Sequence, residues 1–331
     1  MRIRSTLPIL LGVLVWMAAP SWAAQRDIKP HAGMLRYPAV SSTHIAFSYS
    51  NRLWLVPRDG GLATPLAEPP SAPMFPRFSA DGKSVAFVAN YEGGRDIYTL
   101  PTDGGVPYRV THHPSSEMLN AWLADGRLLF SANIMGLTRQ SQLYTVPARG
   151  GLPSKLPVPY GALAAISPDG RWLAYTPHTQ DFATWKRYRG GMQTDIWLFD
   201  LKELKSKRMT DWEGNDTAPM WHGKSVYYVS DAGPEHRANI WVYDTTNGRR
   251  KQVTTFVDFD VKWASYGPGP RGEGEIVFQK GSDLCLLDIP SGKVRTVEVR
   301  IPGERPTLSI RNVDASKFIT SWGISPSGKR A

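Results

Sequence analysis

The sequence predicts an all-β fold, a six-bladed β-propeller of four-stranded antiparallel blades followed by the start of a second propeller. Three observations predict it: a motif that recurs six times, a nearly constant spacing between its copies, and short apolar segments around Asp-Gly turns. Four short strands repeated about every 44 residues are typical of propeller blades. A β-sandwich would also contain many short strands, but it would not require a fixed long period.

The recurring motif is an apolar strand that ends in a polar turn. It reads NRLWLVPRDGG at 51–61, RDIYTLPTDGG at 95–105 and SQLYTVPARGG at 141–151. The opening apolar residue of each copy anchors the alignment: Leu53, Ile97, Leu143, Ile196, Ile240 and Leu284. The steps between anchors are 44, 46, 53, 44 and 44 residues, so the fourth unit carries an insertion.

Each motif follows a strand-turn-strand element, such as PRFSADGKSVAF at 76–87 or ISPDGRWLAY at 166–175. The Asp-Gly pairs indicate hairpin turns, because glycine adopts positive φ there without steric cost. A short closing strand is expected after each motif, for example at 108–111 or 252–254. Each unit therefore supplies the four strands of one blade.

The second position of the motif is large in five units. It is occupied in order by Trp54, Tyr98, Tyr144, Trp197, Trp241 and Cys285. Large side chains here would fill the wedge between neighbouring blades. Cys285 occupies the same slot, so we expect a buried small apolar residue there rather than a redox group.

The N-terminus has the layout of a signal peptide over residues 1–23. Arg2 and Arg4 precede an apolar run at 7–17, and Ser21-Trp22-Ala23 supplies small residues for cleavage. A membrane anchor is the alternative, but the run is too short to span a bilayer. We expect cleavage after Ala23, a periplasmic or secreted protein, and no membrane span in the mature chain.

The remaining composition narrows the class of protein. One cysteine excludes an intramolecular disulfide, so packing must hold the fold. The net charge of +10 is compatible with nucleic acid, anionic peptide ends, a membrane surface or simply a solvated basic surface. An exported protein rarely meets nucleic acid, so we expect no nucleic-acid partner.

The domain organisation follows from the repeat. The six units span residues 35–297, and a Pro/Gly-rich connection makes 298–313 a linker. The sequence ISPSGKRA at 324–331 repeats the opening of a blade. We therefore expect residues 314–331 to be the truncated start of a second propeller, poorly ordered as it stands.

The sequence contains little that suggests catalysis. It has no Gly-x-Ser-x-Gly elbow and no His-Glu-x-x-His helix. Its Gly-x-Gly-x-x-Gly match, GPGPRG at 267–272, contains two prolines that prevent the required helix. We expect no catalytic residue, no metal site and no cofactor in this chain.

One basic, aromatic segment lies within the insertion of the fourth unit and is the candidate site for peptide or interdomain contact. It comprises Trp185, Lys186, Arg187, Tyr188, Arg189, Gly190 and Gly191. Cations beside aromatic rings bind carboxylates and stack on peptide groups, and paired glycines permit a sharp turn. The alternative is a structural loop that docks on a neighbouring domain.

Several segments resemble the tricorn protease family, in particular the N-terminal propeller of its bacterial homologues. They are TWKRYRGGMQTDIW at 184–197, SDAGPEHRANIWVYD at 230–244, FVDFDVKW at 256–263, and the exit VRIPGERPTL into ISPSGKRA. The general repeat is similar to that of TolB. The resemblance implies a six-bladed propeller, a seven-bladed propeller, a PDZ domain and a serine peptidase core whose catalytic residues lie downstream of this chain.

The resemblance also implies a function and a set of partners. The chain would be a non-catalytic propeller that gates or guides peptides to and from the peptidase core. Its partners would be peptides, the downstream domains and possibly further copies of itself. Two features depart from the family. The stretch Thr111 to Leu119 lacks the arginines that hold a substrate carboxylate in archaeal tricorn, and archaeal tricorn is cytoplasmic rather than exported.

Two other functional classes remain open at the level of sequence. One is a stand-alone TolB-like periplasmic scaffold for protein interactions. The other is the propeller of a prolyl-oligopeptidase-type enzyme, which usually has seven or eight blades followed directly by an α/β-hydrolase domain. The blade-like restart at 324–331 argues against the latter.

Overall fold

The computed structural model describes residues 35–134, 140–302 and 312–330. Within these ranges, six four-stranded antiparallel sheets follow one another along the chain, and each sheet is built from consecutive segments. The predicted six-bladed β-propeller is therefore confirmed. The predicted signal peptide at 1–23 lies outside the described residues, as does most of the predicted linker.

The first three blades contain β1 to β13. Blade one comprises β1 (Arg36–Val40), β2 (His44–Tyr49), β3 (Arg52–Pro57) and β5 (Thr64–Ala67), with the short β4 (Gly61–Leu62) between the last two. Blade two comprises β6 (Met74–Phe78), β7 (Ser84–Ala89), β8 (Asp96–Pro101) and β9 (Tyr108–Arg109). Blade three comprises β10 (Glu117–Trp122), β11 (Arg127–Ala132), β12 (Gln142–Pro147) and β13 (Ser154–Lys155).

The last three blades contain β14 to β25. Blade four comprises β14 (Ala164–Ile166), β15 (Trp172–Tyr175), β16 (Trp197–Asp200) and β17 (Lys205–Arg208). Blade five comprises β18 (Asp216–His222), β19 (Ser225–Ser230), β20 (Asn239–Asp244) and β21 (Arg250–Gln252). Blade six comprises β22 (Val261–Gly267), β23 (Glu275–Lys280), β24 (Asp283–Asp288) and β25 (Val294–Val297), and β26 (Val299–Arg300) follows it.

The first strand of every blade lies on the inside of the ring, in contact with the first strands of both neighbouring blades. Strand direction alternates within a blade, so its connections alternate between two faces. The turn face carries the Asp-Gly turns and the turns after each third strand. The loop face carries the loops between second and third strands, and the connections between blades.

The wedge between neighbouring blades is filled as the sequence predicts. Trp54 of blade one clusters with Leu284 of blade six, and Tyr98 of blade two clusters with Leu53 of blade one. Cys285 is 1% exposed and clusters with Ile240 of blade five. Tyr144, Trp197 and Trp241 also pack against the preceding blade.

Three joints between consecutive blades use the same threonine bond. Thr111, Thr210 and Thr254 follow the outer strands of blades two, four and five. Each accepts, through Oγ1, the backbone N–H that opens the third strand of its own blade, at 2.9 Å. The bond at Thr254 also explains why β21 ends at Gln252, two residues before the predicted end. The Thr254 hydroxyl occupies the N–H of Ile240 that a longer ladder would use.

The joint between blades six and one is built differently. β26 pairs in parallel with β4 of blade one, and Gly61 N–H donates to the Glu298 carbonyl at 2.8 Å. Gly60 adopts φ +96° there, and a Cβ on it would lie 2.7 Å from the same carbonyl oxygen. The Arg58 guanidinium forms a two-pronged ion pair with Glu275 at 2.8 and 2.7 Å.

The segment 312–330 contains a 3-10 helix over Ala315–Phe318, capped by Asp314, and a tight turn at 325–330. It contains no strand in the part that the structure describes, so the second propeller expected at 314–331 stays a prediction. Across the three described ranges, no helix is long and apolar enough to cross a membrane.

Candidate functional site

A cavity of about 630 Å³ lies on the axis of the ring. The inner strands of all six blades line it, with side chains such as Met118, Ala164, Met220 and Ser265. Because no sheet crosses the axis, this is the space through which a ligand would meet residues from every blade.

The loop-face mouth of this cavity is crowded with aromatic rings. Tyr37, Phe75 and Trp263 occupy the second or third position of the inner strands of blades one, two and six. All three have positive φ, between 52° and 55°, beside a bulge in the strand. The ring centroids of Tyr37 lie 4.8 Å from Phe75 and 4.6 Å from Trp263. The bulge thus turns three rings towards one another across the mouth.

Blade five has the same positive φ but a small side chain, Ala218 with φ 50°. The missing ring is supplied by the insertion of blade four, residues 176–196, which we name the strap. Phe182 of the strap lies 5.1 Å from Trp263 and 5.9 Å from Phe75, centroid to centroid. Phe182 is 50% exposed, whereas Tyr37 and Phe75 are 7% exposed. It therefore forms the outer layer of the aromatic cluster.

Side chains, more than backbone hydrogen bonds, fasten the strap to blades five and six. The Thr217 hydroxyl lies 3.1 Å from both carboxyl oxygens of Asp181. Burial raises the pKa of Asp181, although nearby Lys262 lowers it. Lys186 forms an ion pair with Asp260 in the connection to blade six. The strap is thus attached on both sides of Phe182.

The predicted contact segment lies on this strap. Arg189 pairs with Asp231 at 3.2 Å and lies over the ring of Trp212, with 5.2 Å between its guanidinium carbon and the centroid. The exposed rings of Trp185 and Tyr188 contact each other at 5.0 Å. Two of the seven predicted residues therefore hold the strap to its own propeller, and two rings face solvent.

The remaining members of the segment shape the turn of the strap. Arg187 is exposed and adopts φ +57°. Gly190 adopts φ +145°, and a Cβ on it would lie 2.8 Å from the Tyr188 hydroxyl, whereas Gly191 has open space around it. Gly190 accounts for the sharp turn that the sequence predicted. Whether the segment binds peptides or another domain stays a prediction.

Arg77 places a guanidinium against the axial cavity. Its Nε donates to the Asn120 carbonyl at 2.6 Å and its Nη1 to the Pro76 carbonyl at 2.7 Å. Burial lowers the pKa of Arg77 to about 10, so it remains a cation at neutral pH. No carboxylate among the described residues lies within ion-pair distance of it. An anionic group that enters the cavity would therefore meet this charge.

Two carboxyl groups are buried next to the threonine joints, at the starts of β10 and β18. Glu117 is 4% exposed, and its carboxyl accepts a hydrogen bond from Thr111. Burial raises the pKa of Glu117 to about 8. Asp216 is 1% exposed beside Thr210, and burial raises its pKa to about 7. Within the described residues no three potential ligands are grouped to hold a metal ion.

The aromatic mouth and Arg77 were not identified from the sequence. A signal was present, since Tyr37-Pro38, Phe75-Pro76 and Ala218-Pro219 stand near the start of three units. Proline has no N–H for a ladder and occurs in strands chiefly at edges and bulges. An apolar residue followed by proline at this repeated position would have indicated the bulge.

Comparison with known proteins gives the same assignment by sequence and by fold. The tricorn protease N-terminal β-propeller domain matches residues 32–293. Tricorn protease homolog 1 of Streptomyces coelicolor is 28% identical over 87% of this chain and 26% of its own length. The tricorn protease homolog of Saccharolobus solfataricus is 23% identical over 86% of this chain and 26% of its own length.

Among solved structures, the crystal structure of the tricorn protease superposes with a TM-score of 0.71 at 19% identity. The match covers 86% of this chain and 27% of that chain. A TolB structure from Agrobacterium tumefaciens superposes with a TM-score of 0.53 at 21% identity, covering 71% of this chain and 83% of that one, which shows likeness of fold alone. The chain spans about a quarter of the length of its curated tricorn relatives. By its match over residues 32–293, the chain belongs to the family of tricorn protease N-terminal β-propeller domains.

Proposed function

We propose that this chain is the non-catalytic propeller portion of an exported, tricorn-like serine protease, and that it gates peptides through its axial cavity. The observation that carries the proposal is the closure of one mouth by four aromatic rings, one of which belongs to the strap. A cavity lined by all six blades provides the path. The exposed ring of Phe182 provides the movable part.

The attachment of the strap supports its role as the gate. Asp181 and Lys186, on either side of Phe182, reach blades five and six by side-chain contacts. Segments held by a few surface contacts open at a lower free energy than strands in a sheet. Phe182 can therefore leave the mouth without disturbing the blades, whereas Tyr37, Phe75 and Trp263 belong to inner strands.

The cavity also has the chemistry to receive a peptide. Its wall is largely apolar, and Arg77 offers an unpaired guanidinium to a carboxylate. Pockets that combine an apolar wall with a few placed polar groups are typical of ligand sites. Peptides are hence the substrate class that we assign to the cavity. The downstream propeller, the PDZ domain and the peptidase core are the partners that the family implies.

Labelling of a cysteine inside the cavity tests the gate. Met118→Cys places a thiol on the wall, while the native Cys285 is buried and unreactive. A maleimide-tagged tetrapeptide should label Met118→Cys at least about tenfold faster when Phe182→Ala is added, since the outermost ring no longer covers the mouth. Phe259→Ala is the matched control. It removes another exposed aromatic ring near the strap, outside the four-ring cluster.

The outcomes separate the parts of the proposal. Equal labelling rates with and without Phe182→Ala would exclude the strap as the gate. Failure of the peptide to label any variant, while a small maleimide labels all of them, would exclude passage of peptides. The purified chain should also cleave no fluorogenic tripeptide or tetrapeptide. Hydrolysis that a serine-directed inhibitor abolishes would contradict the non-catalytic assignment.

A stand-alone interaction scaffold is the second candidate, and one feature favours it. Val106 and Leu152 follow the Gly-Gly turns of blades two and three on the turn face, and they are 88% and 92% exposed. Exposed apolar side chains repeated on neighbouring blades suit the docking of another protein. Capture of a separate partner that Val106→Ser/Leu152→Ser abolishes, with no peptide labelling of the cavity, would favour the scaffold.

A further inference from the structure

The basic charge of the chain is concentrated on the outer strands of two blades. β17 reads KSKR and β21 reads RKQ, so these two edges hold five cations. The outer strands of blades one to three, β5, β9 and β13, hold two between them, Arg109 and Lys155. Lysines protect exposed sheet edges against pairing with other chains. Protection alone would not concentrate them on neighbouring blades.

Much of this charge is unpaired. Arg208 pairs with Asp195, and Arg250 pairs with Asp211. Five other cations are exposed and lie within ion-pair distance of no carboxylate among the described residues: Lys202, Lys205, Lys207, Arg249 and Lys251. We name these five residues the basic edge. Glu203 is an exposed acid in the same turn.

An apolar side chain projects from the turn that joins β16 to β17. Leu204 is 61% exposed, between Lys202 and Lys205, with φ +55°. The turn is firmly built. Asp200 accepts hydrogen bonds from the backbone N–H groups of Lys202 and Glu203 at 2.9 and 3.0 Å, and the Leu204 N–H donates to its carbonyl. Leu204 is thus held in water by a rigid turn.

We infer that the basic edge and Leu204 form a docking surface for an anionic lipid membrane. Cations near an anionic bilayer gain from its surface potential, and an apolar side chain among them gains by insertion below the headgroups. A phosphodiester backbone would attract the same cations but would offer no apolar phase to Leu204. The apolar tip is what favours lipid over nucleic acid.

The geometry leaves the candidate gate accessible in this orientation. The turn that carries Leu204 follows the third strand of blade four, so it lies on the turn face. The strap lies on the loop face. A membrane bound to the basic edge would therefore leave the mouth at Phe182 pointing away from the bilayer. The inference is independent of the gate, because no residue of the basic edge lines the cavity.

Vesicle co-sedimentation of the chain from residue 24 onwards tests the surface. We expect binding to vesicles of phosphatidylcholine with about one-third phosphatidylglycerol, weak binding to pure phosphatidylcholine, and loss of binding at high salt. Lys205→Glu/Lys207→Glu/Lys251→Glu should weaken binding by about a hundredfold or more, since each charge near the surface contributes about fivefold. The three side chains are exposed, so circular dichroism and Tm should not change.

A matched variant controls for net charge. Lys83→Glu/Arg149→Glu/Lys155→Glu reverses three exposed cations of blades two and three and should leave vesicle binding within about threefold. Leu204→Asn suits the positive φ of the turn and should weaken binding several-fold while keeping its salt dependence.

Three results would overturn the inference. They are equal losses in the two triple variants, no binding to anionic vesicles, and binding of a single-stranded oligonucleotide in preference to vesicles through the same residues.

Discussion

The joint that closes the ring and the joints inside it solve the same packing problem with different chemistry. Inside the chain, Thr111 and Thr210 bond a backbone N–H of their own blade and stand beside the buried carboxyl group of the next one. At the closing joint, Arg58 of blade one pairs with Glu275 of blade six, 217 positions away. A short parallel strand pair, β26 with β4, accompanies it.

The difference follows from the covalent connection between neighbouring blades. Consecutive blades are joined by a few residues, so the chain itself keeps them close and short polar contacts suffice. The first and last blades meet only at the cost of closing the whole ring, which is entropic and grows with loop length. A two-pronged ion pair and an added strand pair stabilise that contact. Internal and closing joints should therefore respond differently to pH and to mutation.

The largest expected effect is the pH dependence of the internal joints. Glu117 ionises near pH 4.5 when unfolded but near pH 8 when folded, so its stabilising contribution is full below about pH 4.5 and is lost as the pH rises through 8. Asp216 acts in the same direction up to about pH 7. The part due to Glu117 is on the order of 4 kcal/mol in the free energy of unfolding. Urea unfolding between pH 5 and pH 9 measures it.

Glu117→Gln removes this titration and keeps a hydrogen-bonding side chain of the same size. The variant should be more stable than the wild type at pH 9 and no more stable at pH 5. Glu203→Gln, in an exposed turn, is the control and should follow the wild-type profile. Parallel profiles for wild type and Glu117→Gln would mean that Glu117 is not the titrating group.

The next effect concerns the closing joint. Glu275→Ala leaves the Arg58 guanidinium without its partner, and removal of one member of a buried ion pair costs about 3 kcal/mol. Glu275 is 1% exposed, so water cannot replace the carboxylate. Denaturant unfolding should show this loss, and Arg58→Ala/Glu275→Ala should recover part of it.

Arg295→Ala is the matched control in the same joint. Arg295 pairs with Asp59, which is largely exposed, and exposed pairs contribute about 1 kcal/mol or less. A loss from Arg295→Ala as large as that from Glu275→Ala would show that exposure does not distinguish the two pairs.

The smallest effect concerns the threonine bond itself. Thr210→Val preserves shape but leaves the N–H of Ile196 without its hydroxyl acceptor, at a cost of about 1 to 2 kcal/mol. Thr102→Val, at an exposed turn, should change stability by less than about 0.5 kcal/mol. Equal Tm values for the two variants would contradict the role of the internal bond.

The sequence was sufficient for the blades and not for the site. Each blade is local, so a repeated strand and an Asp-Gly turn, such as Asp169-Gly170, define it within a few dozen residues. The 53-residue step correctly located the strap. The closing pair was not predictable, because β26 has two residues and its partner β4 lies at the other end of the repeat.

The aromatic mouth failed for a related reason. Tyr37, Phe75, Phe182 and Trp263 come from four units and meet only in the closed ring. The burial of Glu117 likewise depends on the preceding blade, so its charge type alone suggested a solvated residue. Properties that belong to one unit could be predicted, whereas properties that require two or more units meeting could not.

The strand pair β26–β4 also determines how the propeller bears mechanical force. Leu35 and Ile301, where the chain enters and leaves the ring, lie in one apolar cluster at the seam of blades one and six. Tension on the chain beyond Ile301 is first borne by β26 and by the hydrogen bond from the Ala63 N–H to the Arg300 carbonyl. A moving domain attached at that end would pull on blade one before it could peel the outer strand from blade six.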